Sequence, residues 1–351
     1  FNRWFILAVL FFARGAWAYQ FQAVGSVGPM IVDDLGISYA KLGTLIGLFD
    51  APGIVVALAG GYLGQRYGDK RLVLIGLGLM VIGGIIGGST LDFEISAGSR
   101  IVAGAGTVLL GVLITKMVAD WFAGRELVLA ISIVLASWPI GIGAALSTQG
   151  ALAEALGWPA VFYATAALSL LGLVLVAVFY HRPPYSKATG TGDPVGGKIG
   201  ITKREIALVS VAALIWVLFN EGLIVLVSFG PTLLEGRGFS ISDAGRLVSL
   251  STWAYAAATL AGGGMVQWIG RSNLVMVVNF LAMIAALALV PYTDLLYLLF
   301  IAIGITTGIP TGAVMALSVE GLAERNRSVG MGVFYAWRYG GFALLQPFAG
   351  W

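Results

Sequence analysis

Residues 58–71 read LAGGYLGQRYGDKR, and residues 260–271 read LAGGGMVQWIGR. The two stretches lie 202 residues apart, and each follows an apolar run of helical length. At that spacing, residues 26–75 match residues 228–277 at sixteen of fifty positions without a gap. Gly-Pro pairs, a glutamine and several glycines recur in one register, which biased composition explains poorly. The chain is therefore predicted to contain two homologous halves.

A weaker match continues the repeat at a spacing of 200 residues. It pairs Gly104 with Gly304, Thr107 with Thr307, and Arg125 with Arg325. The second copy starts with the same topology as the first, so the halves form a parallel repeat about an axis along the membrane normal.

The composition indicates a chain that resides in a lipid bilayer. Of 351 residues, 59% are hydrophobic and 11% are charged, whereas soluble domains carry about 25% charged residues. A soluble protein needs a wettable surface, and a bilayer removes that need. The fifty glycines suit close packing between membrane helices. No cysteine is present, which excludes disulfides, and the net charge of +3 is too small to indicate a nucleic-acid partner.

Eleven apolar runs are predicted to cross the membrane, because each approaches the roughly 20 residues that a spanning α-helix needs. They lie at 4–31, 40–65, 72–91, 95–121, 127–152, 157–180, 205–233, 241–268, 273–291, 295–320 and 328–350. Six spans in each half would require a twelfth helix. The predicted fold class is an all-α polytopic membrane protein with two pseudo-symmetric six-helix bundles.

The polar stretch 181–204 divides the chain into an N-terminal helix bundle, 1–180, and a C-terminal bundle, 205–351, which is expected to lack its last helix. Proline, glycine and lysine in this stretch suit a flexible linker. Thirteen of the twenty lysines and arginines fall in segments on one side of the predicted membrane. The positive-inside rule then predicts a cytoplasmic N-terminus and linker. The predicted location is a bacterial inner membrane, crossed many times.

The loop at 61–71, between the second and third predicted spans, reads GYLGQRYGDKR. It resembles the signature loop of the major facilitator superfamily, G-x-L-a-D-r-x-G-r-k-r. A second element, Arg100-x-x-x-Gly104-x-Gly106 in the fourth span, is similar to that family's R-x-x-x-G-x-G. The resemblance implies a two-bundle transporter. Within the superfamily, the small-anion branches (cyanate and nitroimidazole porters, or oxalate/formate exchangers) look nearest.

The resemblance also implies a gating motif. Its members here are Gly61, Gln65, Arg66, Gly68, Lys70 and Arg71 in the loop, with Arg100 and Asp120 in the fourth span. Gln65 stands at the family's acidic position, and a neutral amide cannot supply that position's charge pairing. Asp120 is a candidate partner for Arg66, and a solvated charge at a helix end is an equally good interpretation.

Seven aspartates, glutamates, lysines and arginines lie five or more residues inside the ends of predicted spans, where each costs roughly 2.5–3.5 kcal/mol to insert and therefore indicates a functional role. They are Arg14, Asp50, Arg100, Lys116, Glu221, Arg246 and Arg338. Five are cations and two are acids. A surplus of arginine favours an anionic substrate, because guanidinium binds carboxylate through a bidentate fork.

The predicted substrate site combines mid-span arginines with polar and aromatic neighbours. Its members are Arg14, Arg338, Tyr19, Gln20, Asn220, Tyr335, Tyr339 and Arg246. Arg246 lies near the outer boundary and could instead extend to the headgroups. Asp50 and Glu221 are either proton carriers or neutralising partners for the arginines.

These features predict a secondary transporter that moves a small organic or inorganic anion by alternating access. Coupling to protons or to a counter-anion is expected, with the bilayer as surroundings and the chain as a monomer. No Walker loop, metal cluster or nucleophile constellation occurs in the sequence, so neither an enzyme nor a cofactor is expected. Two alternatives remain: a multidrug exporter, which would want acidic residues in excess, and a non-transporting sensor with a transporter fold.

Overall fold

The computed structural model describes residues 2–56, 67–122, 126–181, 201–320, 322–323 and 326–351. Regular structure in these ranges is helical. Residues before 181 are called the N-terminal half below, and residues after 204 the C-terminal half.

The described part of the N-terminal half contains eight helices. In order, they are α1 Arg3–Phe21, α2 Ala23–Ser26, α3 Gly28–Leu35, α4 Tyr39–Gly47, α5 Asp69–Gly88, α6 Phe93–Trp121, α7 Leu127–Leu156 and α8 Pro159–Phe179. Several start on side-chain caps: Ser38 accepts from Lys41 N before α4, and Asp92 accepts from Ile95 N before α6.

The C-terminal half opens with a long continuous helix. Its described helices are α9 Lys203–Glu235, α10 Ile241–Ile269, α11 Ser272–Leu289, a 3-10 turn Val290–Tyr292, α12 Leu296–Gly308, α13 Thr311–Glu320 and α14 Arg327–Ala349. Helix α9 starts with a capping box, in which Thr202 and Glu205 bond each other's backbone N–H.

Eight helical segments in the described ranges are long and apolar enough to cross a bilayer. They are α1, α5, α6, α7, α8, α9, α11 with its 3-10 turn, and Leu296–Ser318 within α12 and α13. Three further predicted spans are outside this set. The second is described only to residue 56, whereas α10 and α14 are long enough but carry more small and polar residues. That these three cross the bilayer stays a prediction, as does a twelfth helix.

Three predicted spans are not single helices. In the described part of the run 40–65, α4 ends at Gly47, turns occupy residues 48–52, and a short helical segment follows at 53–56. The run 4–31 divides into α1, α2 and α3, with breaks at Gln22 and Val27, and α3 continues to Leu35. Pro29 lies in the first turn of α3, where its missing N–H costs no hydrogen bond. The run 295–320 divides at Ile309 and Pro310 into α12 and α13.

Contacts between loops distinguish two ends of the bundle. Arg3 pairs with Glu126 at 2.7 Å, and Trp121 Nε1 donates to the His181 carbonyl at 3.2 Å. These residues lie at the end where the 181–204 linker begins, which is called the linker end. The opposite end, called the far end, carries the turns at 36–38, 236–240 and 293–295.

At the far end the two halves pack backbone against backbone. Gly43 of α4 lies against the main chain of Gln346 in α14. Its repeat partner, Gly245 of α10, lies against the Leu146 carbonyl of α7. A Cβ at either glycine would overlap those backbone atoms, so only glycine allows both close approaches.

Two hydrogen bonds between the halves use backbone groups that helices leave free. Ser242 lies in the first turn of α10, whose N–H groups lack intrahelical acceptors, and its N–H donates to Glu154 Oε1 at 2.8 Å. Pro231 has no N–H, so the Val227 carbonyl one turn earlier in α9 loses its donor. Gln22 Nε2 from the N-terminal half donates to that carbonyl at 2.6 Å.

Candidate functional site

Arg14 is buried in the middle of the N-terminal half and is held by a proline-interrupted helix. Pro139 inside α7 has no N–H, so the Leu135 carbonyl lacks its intrahelical donor. Arg14 Nη1 donates to Leu135 O at 3.1 Å, to Val134 O at 2.9 Å and to Ser137 Oγ at 3.2 Å. One nitrogen of the guanidinium is therefore committed to α7. Arg14 Nε is buried and has no hydrogen-bond partner among the described residues.

Arg338 of α14 lies among aromatic rings. Its guanidinium carbon is 4.9 Å from the ring centre of Tyr339, 5.5 Å from that of Phe342 and 6.0 Å from that of Tyr335. The electron-rich faces of such rings attract cations. Arg338 also interacts electrostatically with Arg14, so one arginine from each half reaches the same region, and their joint role in substrate binding stays a prediction.

Asp50 lies in an irregular stretch that follows α4. Pro52 cannot donate to the Leu48 carbonyl, and residues 48–52 form turns before a short helical segment at 53–56. The Asp50 side chain is buried and interacts electrostatically with Arg338 and Arg100. Asp50 is therefore shared between two cations.

Arg100 of α6 is fastened to the backbone of the N-terminal half. Its Nε donates to Leu45 O at 3.1 Å, and its Nη1 and Nη2 donate to Gln20 O and Phe21 O at 3.2 and 3.1 Å. The last two acceptors are carbonyls at the C-terminal end of α1, where a cation is favoured by the helix dipole. Its guanidinium also lies 4.2 Å from the ring centre of Phe49. Arg100 thus fixes α1, α4 and α6 relative to one another.

Glu221 of α9 is buried, and its side chain contacts α14. Its Oε1 accepts a hydrogen bond of 2.7 Å from Gln346 Nε2. It also interacts electrostatically with Asp50. The adjacent Asn220 is buried, and its Nδ2 donates to the Trp216 carbonyl of its own helix at 3.0 Å.

Three predicted site residues lie away from the two mid-span arginines. The Tyr19 hydroxyl bonds Thr148 Oγ1 at 2.9 Å, and Gln20 Nε2 donates to Met80 O at 2.9 Å, both within the N-terminal half. The Arg246 side chain is 60% exposed at the far end, 3.8 Å from Asp243. Their assignment to the substrate site stays a prediction.

The described part of the predicted gating motif bonds to neighbouring helix ends. Gly68 adopts φ 87° before α5, a conformation that favours glycine. Lys70 Nζ donates to Ala177 O at 2.8 Å and to Tyr180 O at 2.7 Å, which caps the end of α8. Arg71 is exposed.

Other members of the motif fall outside the described residues. These are Gly61, Gln65 and Arg66. The predicted pairing of Arg66 with Asp120 therefore also lies outside the described residues. Asp120 itself is partly buried in the last turn of α6.

The structure also shows an ion pair that the sequence did not indicate. Lys116 Nζ lies 2.7 Å from Asp69 Oδ2, which joins α6 to the start of α5. Asp69 stands where the resembled loop pattern has a basic residue, and that departure was the available signal.

Two further members of the site were missed. Tyr255 of α10 is buried and interacts electrostatically with both Arg14 and Arg338. Gln346 precedes Pro347 near the end of α14 and bonds Glu221. A polar amide next to proline in an apolar run was the signal for the second residue, whereas nothing in the sequence distinguishes Tyr255 from the other tyrosines.

The comparison with known families settles the architecture. The model of the Major Facilitator Superfamily matches residues 4–345. The chain belongs to this superfamily. Its members are membrane transporters rather than enzymes, and the chain is a multi-pass membrane protein.

Individual relatives are distant. The chain is 25% identical to a hexuronate transporter of Bacillus subtilis over 258 residues, which is 70% of this chain and 60% of that protein. It is 27% identical to the quinolone resistance protein NorA of Staphylococcus aureus over 175 residues, 48% of this chain and 44% of NorA. The chain thus matches less than two thirds of either relative.

A solved structure confirms the fold over the whole chain. The nucleoside transporter NupG, in its D323A form, superposes with a TM-score of 0.80 over 99% of this chain and 90% of NupG. The sequences are 15% identical, so this likeness speaks for the architecture alone.

Proposed function

We propose that the chain is a secondary transporter of a small organic anion, of the sugar-acid class, that works by alternating access between its two halves. The observation that carries the proposal is the meeting of Arg14 and Arg338, one from each half. Two guanidinium groups repel each other strongly in a poor dielectric. Asp50 interacts with Arg338 and Arg100, so among the described residues Arg14 still lacks a counter-charge. An anionic substrate between the halves supplies it.

Arg14 retains an edge suited to a carboxylate. Its Nη1 is committed to α7, and its buried Nε has no partner among the described residues. A carboxylate that accepts from Nε and Nη2 together would form the bidentate arrangement that guanidinium favours. The Tyr255, Tyr335 and Tyr339 side chains around the two arginines offer hydroxyl groups to a polyhydroxylated ligand.

The relationship to a hexuronate transporter supports this class of ligand. A hexuronate combines one carboxylate with a ring that carries hydroxyl groups. The carboxylate complements Arg14 and Arg338, and the hydroxyl groups complement the tyrosines around them. We therefore take glucuronate and galacturonate as the first test substrates.

The test uses the purified chain in proteoliposomes. Uptake of radiolabelled glucuronate and galacturonate is compared with uptake of glucose and galactose, which have the same ring without the carboxylate. We expect the sugar acids to be taken up, unlabelled sugar acid to compete, and the neutral sugars to be excluded. Equal uptake of acid and neutral sugar would contradict the anion proposal.

A second candidate function is export of lipophilic drugs, favoured by the match to NorA. Export of ethidium or a quinolone from the same vesicles, without sugar-acid uptake, would establish it. Binding of a sugar acid without uptake in sealed vesicles would instead indicate a sensor.

The proposal includes a topology and a mode of coupling. The distribution of basic residues supports a cytoplasmic N-terminus and a cytoplasmic 181–204 linker in a protein of the bacterial inner membrane. The linker joins two helical domains, 1–180 and 205–351, that act together as a monomer. Coupling uses protons or counter-anion exchange. A reporter fused within the linker should read cytoplasmic, and a periplasmic signal would reverse the orientation.

A further inference from the structure

Glu221 and Gln346 form a buried pair that lacks one hydrogen. Their side chains are 7% and 1% exposed, and Gln346 Nε2 donates to Glu221 Oε1 at 2.7 Å. The two other oxygens, Glu221 Oε2 and Gln346 Oε1, are also buried. Neither has a hydrogen-bond partner in the described part of the chain. Both are acceptors, so as an ionised pair they would leave two buried acceptors unsatisfied, at a cost in free energy for each.

One proton would satisfy both oxygens. A carboxylic acid and a carboxamide are planar groups that can form two hydrogen bonds at once, N–H to one carboxyl oxygen and O–H to the amide oxygen. The first bond is present, and the two orphan oxygens belong to the same pair of groups. A proton on Oε2 would complete the ring and remove a buried charge.

We infer that Glu221 is protonated in this conformation and that the Glu221–Gln346 pair is the proton-binding site of the transporter. The inference rests on the proposed function, because it names the coupling ion for that transport. Oε2 carries the proton and donates it to Gln346 Oε1, while Oε1 accepts from Gln346 Nε2. No covalent bond between heavy atoms changes, because the proton enters from water and leaves to water.

The charges around the pair select Glu221 rather than Asp50 as the proton carrier. Asp50 lies beside Arg338 and Arg100, and these cations favour its ionised form. Among the described residues, the charged group that interacts electrostatically with Glu221 is Asp50 itself, an anion that disfavours a second negative charge nearby. Helix α14 brings Gln346 to Glu221, while its Arg338 and Tyr339 interact with Asp50. From α10, Tyr255 interacts with the arginines instead.

The pair is mechanically connected to the contact between the halves. The Gln346 main chain lies against Gly43 of α4 at the far end, while its side chain is held by Glu221. A protonated Glu221 therefore holds Gln346, and with it α14, in contact with α4. When the far end opens, water reaches the pair and the proton can leave, which links proton release to the conformational change.

The test is infrared spectroscopy of the purified full chain across a pH series, without any substrate. A protonated carboxylic acid has a carbonyl stretching band distinct from that of a carboxylate. We expect this band in the wild type at neutral pH, its loss in Glu221→Gln, and its retention in the matched control Glu154→Gln, which keeps an acceptor oxygen for the Ser242 N–H. Gln346→Leu should keep the band and shift it to the frequency of a less hydrogen-bonded acid.

Several results would overturn the inference. These are a wild type without the band at neutral pH, a band that persists in Glu221→Gln, and a band that disappears in the control Glu154→Gln. Loss of the band when sodium replaces potassium would show that a metal cation, and not a proton, occupies the site. Glu221→Asp keeps an acid at the position and covers the case in which the glutamine variant does not fold. Since no sugar acid enters the experiment, its outcome is independent of the substrate proposal.

Discussion

The two halves of the chain share a register, yet arginine and tryptophan are exchanged between them at two pairs of equivalent positions. In the N-terminal half, Arg14 of α1 donates to the Val134 carbonyl of α7. The position 202 residues after Arg14 is Trp216, and the position 200 residues after Val134 is Phe334. There the two rings pack edge to face with centroids 6.0 Å apart. Trp216 Nε1 is buried and has no hydrogen-bond partner among the described residues.

The exchange is reciprocal. Helix α7 carries Trp138, and the residue 200 positions later is Arg338 of α14. Each half thus contributes one arginine and one tryptophan at these positions, with the arginine on its first helix in one half and on its fifth predicted span in the other. The repeat preserved the backbone register and moved the charge. The two arginines therefore come from non-equivalent helices of the two halves, α1 and α14, and interact electrostatically.

The largest expected effect comes from altering those arginines. Arg14→Lys and Arg338→Lys keep a positive charge and remove the planar fork. We expect each to lower sugar-acid affinity by about 100-fold, which corresponds to loss of roughly 3 kcal/mol of charge-assisted hydrogen bonding. Competition by unlabelled glucuronate in proteoliposomes measures this change. Arg3→Lys, which changes a half-exposed arginine at the linker end, is the matched control and should bind normally.

Unchanged affinity in both lysine variants would show that the arginines are structural, and the exchange of positions would then have no bearing on substrate.

A second set of variants tests whether the two halves contribute equally to closure of the far end. Gly43→Val and Gly245→Val each place side-chain atoms into the backbone of the other half. Overpacking costs about 2 kcal/mol, which lowers the closed population by about 30-fold. We expect both variants to fold and to lose most transport. Gly98→Val of α6, where the added atoms meet open space, should transport normally. Loss of transport in only one glycine variant would show that the two seams act unequally.

The clasps at the linker end also differ between the halves. Glu205 accepts from Thr202 N at 2.8 Å, from Ala323 N at 3.1 Å and from Asn326 Nδ2 at 2.9 Å. The equivalent clasp in the N-terminal half is one half-exposed ion pair, Arg3 with Glu126.

Removing each clasp should therefore have unequal effects. Glu205→Ala leaves several donors unsatisfied and should destabilise the fold by about 1–3 kcal/mol. Arg3→Ala should cost less than about 1 kcal/mol, since surface pairs contribute little. Thermal unfolding in detergent compares the two variants. A larger loss of stability in Arg3→Ala would contradict the ranking.

The smallest effect is expected at Arg246, whose side chain is mostly exposed near the far end. Arg246→Ala should leave sugar-acid affinity and transport within experimental error of the wild type, because Arg14 and Arg338, which carry the proposed substrate site, lie elsewhere. A fall in affinity would bring Arg246 into the substrate pathway.

The sequence predicts the architecture well because bilayer burial and duplication leave long-range patterns. The 202-residue register, the loop at 61–71 and the mid-span Arg14 and Arg338 all indicate the fold or the site. Partners are harder to predict, because they depend on which carbonyls are free in three dimensions. Pro139 frees Leu135 for Arg14, and no local pattern joins residues separated by 121 positions. The division of 4–31 was missed for a similar reason, since the repeat partner of Pro29 lies inside a continuous α9.

The bond between Arg14 and α7 has a consequence for biogenesis. Helix α1 emerges from the ribosome before α7, and its Arg14 finds its acceptors 120 to 123 residues later in the chain. Until α7 is synthesised, the guanidinium costs roughly 2.5–3.5 kcal/mol in the bilayer core. We therefore expect α1 to remain beside the insertion machinery during synthesis of the intervening helices and to leave it only when α7 arrives. The proline that opens α7 to Arg14 would then set the order in which the N-terminal half is assembled in the membrane.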